Sequence, residues 1–276
     1  MTVASRIGGV VLALMALPLA LAGITAGVVW LDGGSASVRH TAEIAVRPSP
    51  AVTVRMAAGV LTVRQGEPGK VSLVDEDTVH GLSRSVADAA LRRLASTLQA
   101  TAAGASVNVP AEFPTLESVN LGGPVSENRD ITISVPPGAS LRLDSGPGVI
   151  HLAQLGGPVD ISGSAGLVVL QDFTITGASR IHLTNGGIAG TVIMRGGSLD
   201  AAVVSGGIKL VLSGAGGTRV QATAANGSIQ VPRDFDLAVQ QFGSTKSATG
   251  VIGGGAATSG SLTLETVNGV ISLSRG

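Results

Sequence analysis

The chain contains no cysteine and no tyrosine, and only one tryptophan and four phenylalanines among its 276 residues. Without cysteine it has neither a disulfide framework nor a thiolate metal site. With aromatic residues at 2%, large rings cannot supply the bulk of a core, so close packing must come from smaller side chains. Excess charge of either sign is also missing. Lys and Arg total 18, Asp and Glu total 18, and this balance predicts no nucleic-acid partner. What the chain has instead is 40 glycines and a 44% hydrophobic fraction. Abundant Val, Ile and Leu at a low charge content exclude a disordered chain, and the glycines suggest tight corners between flat strands.

The N-terminus carries one long apolar run. After Arg6, 25 uncharged residues extend from Ile7 to Leu31, closed by Trp30 and Asp32. As a helix this run would reach about 37 Å, enough to cross a hydrocarbon core of about 30 Å with some tilt. Trp30 suits an interface and Arg6 favours an N-terminus inside. Residues 1–32 are therefore expected to form a transmembrane anchor in the plasma membrane, with residues 7–31 in the bilayer and the C-terminal part extracytoplasmic. The alternative is a signal peptide cut near Ala22. Residues 33–37 read as a small-residue linker.

From residue 38 onward strand-like alternation dominates, as in Val52-Thr53-Val54, Val60-Leu61-Thr62-Val63 and Val71-Ser72-Leu73. One amphipathic helix is expected over residues 85–103, because Val86, Ala90, Leu91, Leu94 and Leu98 share a face and Ser85 with Asp88 resembles a capping box. A long loop punctuated by Pro110, Pro114 and Gly122-Gly123-Pro124 follows over residues 110–128.

The strongest pattern is a glycine followed by apolar residues two and four places on. It appears as Ala165-Gly166-Leu167-Val168-Val169-Leu170, Ser205-Gly206-Gly207-Ile208-Lys209-Leu210, Asn226-Gly227-Ser228-Ile229 and Asn268-Gly269-Val270-Ile271. Gly146, Gly166, Gly186 and Gly206 stand 20 apart, Gly227 follows after 21, and Gly269 lies 42 further, with a degenerate turn expected around Gly250. A period near 20 built from short strands predicts an all-β chain wound as a β-solenoid, parallel β-helix-like, with about 20 residues per turn. Residues 145–276 carry the regular repeats, and residues 38–144 form an N-terminal part with the helix and loop inserted. Stacking should bring Val168, Ile188 and Ile208 into one column, and Asn185, Asn226 and Asn268 into a partial amide ladder.

These phrases at Gly166, Gly186, Gly206, Gly227 and Gly269, together with the single N-terminal apolar segment, resemble a bacterial putative-adhesin family of unknown function. Its members are membrane-anchored or exported β-solenoids similar to auto-transporter adhesin heads. The resemblance covers residues 38–276 and implies no catalytic residue, cofactor or metal site.

The same period also sets charged residues in line. Asp160, Arg180 and Asp200 should share one column, with the two carboxylates about 9.6 Å apart across two rungs. That separation lies near the upper end used by inverting glycosidases. A cation between them is nevertheless a poor neighbour for a general acid, which must hold its proton, so a solvated charge ladder is the preferred reading. His40, His80, His151 and His182 lack zinc spacing. Asp75-Glu76-Asp77 lacks the rest of a calcium loop and reads as a solvated turn. Asn226-Gly227-Ser228 matches a glycosylation sequon but reads as a corner. The expected function is thus a non-enzymatic, membrane-anchored cell-envelope protein for adhesion or for binding envelope polymer or protein, with self-association open to it. The alternatives are a carbohydrate-active β-helix enzyme and an accessory factor in envelope-stress signalling.

Overall fold

The structure, a computed structural model, describes residues 34–81, 96–101, 104–109, 126–253 and 260–276. The expected anchor, 1–32, lies outside them, as does most of the expected helix and loop. Among the described residues no helix is long and apolar enough to cross a membrane. The chain divides into two compact units. One gathers Met1–Val38, Asp77–Arg93 and Pro114–Asn128, of which only strand ends are described; the other gathers Arg39–Glu76, Leu94–Phe113 and Arg129–Gly276.

The described residues are almost entirely strand, and all sixteen strands join one mixed, mostly parallel sheet. Sixteen strands occur in chain order as β1 (Gly34–Ala45), β2 (Ala51–Met56), β3 (Gly59–Gln65), β4 (Lys70–Gly81), β5 (Thr97–Thr101), β6 (Gly104–Val109), β7 (Ser126–Val135), β8 (Ser140–Ser145) and β9 (Gly148–Ala153), followed by β10 (Val159–Ile175), β11 (Ala178–Met194), β12 (Gly197–Ser213), β13 (Thr218–Gln230), β14 (Ala238–Phe242), β15 (Thr245–Val251) and β16 (Gly260–Arg275). Among the described residues one 3-10 turn, Arg233–Phe235, interrupts them.

The long strands pair twice, once before and once after their glycine. The segments before it make a first ladder, ordered β5, β6, β2, β8, β10, β11, β12, β16, β13, β15, β14. The segments after it make a second, ordered β1, β4, β7, β3, β9, β10, β11, β12, β16, β13. Pairing is parallel from β6 to β13 in the first ladder and from β7 to β13 in the second. It turns antiparallel where β5 meets β6, β15 meets β13 and β14 meets β15.

Side-chain alternation builds the core, since inward residues of successive rungs meet. Val168, Ile188, Ile208 and Ile271 stand in one register, continued by Ile150 and Leu61 on one side, and all six are buried. The expected aliphatic column is therefore present and longer than the repeat suggested.

Between the two segments runs a column of glycines: Gly59, Gly148, Gly166, Gly186, Gly206, Gly269 and Gly227. At Gly206, φ is 142°, and a Cβ would meet the carbonyl oxygen of Gly186 on the adjoining rung. Close backbone stacking, besides the left-handed φ, is what demands glycine here. The rung before Gly166 turns at Gly148, two residues later than the 20-residue period placed it.

Several expectations are corrected. Gly250 belongs to no parallel turn, because it lies in β15, antiparallel to β13 with Val220 opposite. The rungs do not stack in chain order: β16 lies between β12 and β13, and β3 lies between β7 and β9. A coil of sequential turns would not give this order. The last part of the expected helix 85–103 is strand: Thr97–Thr101 is exposed except at half-buried Leu98 and pairs antiparallel with β6. Covering that edge supplies partners for backbone groups of β6, a tertiary gain that overrides local helical periodicity. The linker at 33–37 gives way to strand at residue 34, and the loop at 110–128 ends in strand at residue 126.

Candidate functional site

Because pairing is in register, outward residues of the first ladder also form columns. One runs Thr53, Arg142, Asp160, Arg180, Asp200 and Thr263 over consecutive rungs. Asp160, Arg180 and Asp200 thus stand together as the spacing predicted. Arg142 was missed in the sequence because the rung preceding β10 is 18 residues away in register, not 20. The four charges alternate in sign, each about 4.8 Å from the next rung. Arg142, Asp160 and Arg180 are exposed.

Asp200 is shared. Arg180 Nε lies 3.5 Å and His182 Nε2 3.4 Å from its Oδ2. His182 is one column further along, at an exposed outward position. In that neighbouring column the Ser162 hydroxyl donates to Asp144 Oδ1 at 2.7 Å.

Beside the charges the outward residues are small: Ala51, Ser140, Pro158, Ala178 and Ser198. They leave an open trough of about 470 Å3, five rungs long, with the charged column along one side. Buried Val52, Leu141 and Val159 stiffen the strands beneath it, and the Val159 amide donates to the buried Ser179 hydroxyl at 3.2 Å.

Other candidate residues fall elsewhere. Asp75-Glu76-Asp77 is no solvated turn: it lies in β4, with Asp75 and Asp77 buried. Arg129 donates from Nε to Asp75 Oδ1 at 3.2 Å and from Nη2 to Oδ2 at 2.9 Å. It also donates to the Ser96 hydroxyl at 2.8 Å, while the Ser96 amide donates to Asp75 Oδ2 at 3.0 Å. Burial alone would raise the Asp75 pKa, but the Arg129 and Ser96 contacts together outweigh it and hold the carboxyl below its ordinary value. Glu76 is exposed and meets Arg39 at 3.2 Å. Asn226 donates to Asn268 at 3.2 Å, but Ser205 separates Asn268 from Asn185, so the amide ladder has two bonded members. The sequon at Asn226 lies within β13, with Gly227 in the glycine column. Among the described residues no three His, Asp or Glu side chains gather as metal ligands.

No protein-family model and no curated protein matches the chain. Solved structures do resemble it. A putative cell adhesion protein from Clostridium sporogenes aligns over 87% of this chain and 100% of its own, with 12% identity and a TM-score of 0.44. A putative adhesin from Bacteroides fragilis covers 86% of this chain and 97% of its own, and one from Parabacteroides merdae covers 85% and 95%; both have TM-scores of 0.26, with identities of 12% and 10%. These structural neighbours are putative adhesins of bacteria, the class that the glycine-led phrases resemble. Similarity at this level assigns no residue a role, and the chemistry rests on the charged column and its trough.

Proposed function

We propose that the protein is a non-enzymatic adhesion protein of the bacterial surface, which binds an elongated envelope polymer along the first ladder. The observation that carries this reading is the open trough beside Arg142, Asp160, Arg180 and Asp200. Substrate pockets enclose most of a small ligand, whereas this surface is a shallow, rigid track crossing five rungs. Its polar groups repeat at the strand spacing, which suits a repeating ligand. In this reading the two ladders are the walls of a β-solenoid, and the apolar segment 7–31 holds it outside the plasma membrane. Arg180 between the two carboxylates supports binding in preference to hydrolysis.

The test is co-sedimentation of the full-length chain with isolated cell-wall polymer, together with an assay for released reducing ends. Retention that Arg142→Ala and Arg180→Ala weaken, without cleavage, is the expected result. Glycan cleavage abolished by Asp160→Asn and Asp200→Asn would replace adhesion with the enzyme reading. Absence of retention on every envelope fraction would remove it altogether. Membrane presentation is checked separately by fractionation, with the intact chain expected in the membrane pellet.

A further inference from the structure

We propose that the ligand of this track is a linear glycan whose successive sugars alternate in charge, one bearing a carboxylate and the next a free amine. The inference rests on the adhesion reading and names its ligand. Three observations lead to it. The column alternates cation and anion over four consecutive rungs: Arg142, Asp160, Arg180, Asp200. The trough beside it is floored by small side chains, among them Ser140, Ala178 and Ser198, leaving room for a chain of flat rings against the sheet. Among the described residues no aromatic side chain lines the trough, so recognition comes from polar contacts instead of ring stacking.

A rung rises about 4.8 Å, close to the length of one pyranose in an extended chain, so one sugar would face each rung. Like charges on the protein recur every second rung, about 9.6 Å apart. An extended peptide fails this match, because its same-side residues recur at about 6.8 Å. A purely acidic glycan would meet Asp160 and Asp200 with repulsion, and a purely cationic one would meet Arg142 and Arg180 likewise. Only alternation pairs each guanidinium with a carboxylate, in the fork geometry it favours, and each carboxylate with an ammonium. The Arg180–Asp200 pair opens readily for this exchange, since its side chains are 62% and 40% exposed and such pairs contribute little.

The test measures affinity of the full-length chain for three probes: N-deacetylated hyaluronan oligosaccharides, in which glucuronate and glucosamine alternate; the N-acetylated parent, which is only anionic; and chitosan oligomers, which are only cationic. The alternating probe should bind about tenfold tighter than either other, the worth of one charge-assisted contact. Arg142→Ala should remove that preference while leaving the melting temperature unchanged. Exchanging Arg180→Asp with Asp200→Arg, which keeps the local ion pair but breaks the alternation, should remove it too. Equal affinity for the alternating and acetylated probes overturns the proposal, as does a preference that survives both variants. If cell-wall retention persists in either case, adhesion stands and only the ligand class falls. If the wild type is retained by no envelope material, the adhesion reading itself has failed.

Discussion

At the scale of single residues, two positions explain most about this chain. The first is the Asp75–Arg129 pair, buried on both sides with exposures of 0% and 2%. Removing one partner of a buried pair strands the other charge, so Arg129→Met is expected to cost about 3–5 kcal/mol in urea unfolding at neutral pH. Replacing both by leucine should recover most of that loss. The pH dependence follows from the depressed folded pKa. Its stabilisation is fully present above the unfolded value near 3.8 and declines as pH falls through the lower folded value. Acid unfolding of Asp75→Asn should therefore lack that component, and its stability should fall less than the wild type's below about pH 4. The second position is Gly206, where a new Cβ meets the Gly186 carbonyl. Gly206→Ala should lower stability by more than about 1 kcal/mol. Gly156→Ala, where a Cβ meets nothing within 4 Å, should stay within about 0.5 kcal/mol. Equal melting temperatures for the two variants would refute the close-stacking account.

At the scale of elements, inward columns and edges behave differently. Ile208 is fully buried between Ile188 and Ile271. Ile208→Ala is thus expected to cost about 2–5 kcal/mol, read by chemical denaturation. Strand β14 is the opposite case. All five of its residues are exposed, Phe242 by 75%, and among the described residues it pairs only with β15. Phe242→Lys should leave unfolding within about 0.5 kcal/mol of wild type, and a charge on such an edge should reduce concentration-dependent association measured by sedimentation velocity. The β5 strand shows how far local signals carry. Leu98 contributes to a helical stripe and, in the fold, to the half-buried side of a strand. One apolar residue satisfies both periods, and pairing with β6 decides between them.

At the scale of the whole ladder, the stacking order makes a prediction that a sequential coil would not. Strand β16 comes last in the chain yet lies between β12 and β13. Deleting residues 260–276 therefore removes an interior rung, leaving the facing edges of β12 and β13 without backbone partners. The truncated chain should lose its cooperative thermal transition and become sensitive to limited proteolysis throughout residues 178–230. Were β16 a terminal rung, the rest would melt as one slightly shorter unit.

The amino-acid pattern alone established most of the strands, the recurring glycines, the inward aliphatic column and three of the four charges in the outward one. These features are local: alternation selects a face, and a glycine marks where one backbone approaches the next. Which rung lies on which was not available locally, because each rung presents the same glycine and the same apolar places, so several stacking orders satisfy the pattern equally. Pairing between distant segments settled that order. It seated β16 inside the ladder, set Arg142 beside Asp160, and closed Arg129 onto Asp75 from 54 residues away. A buried charge keeps its place only where a distant partner meets it, and that partner is a property of the fold.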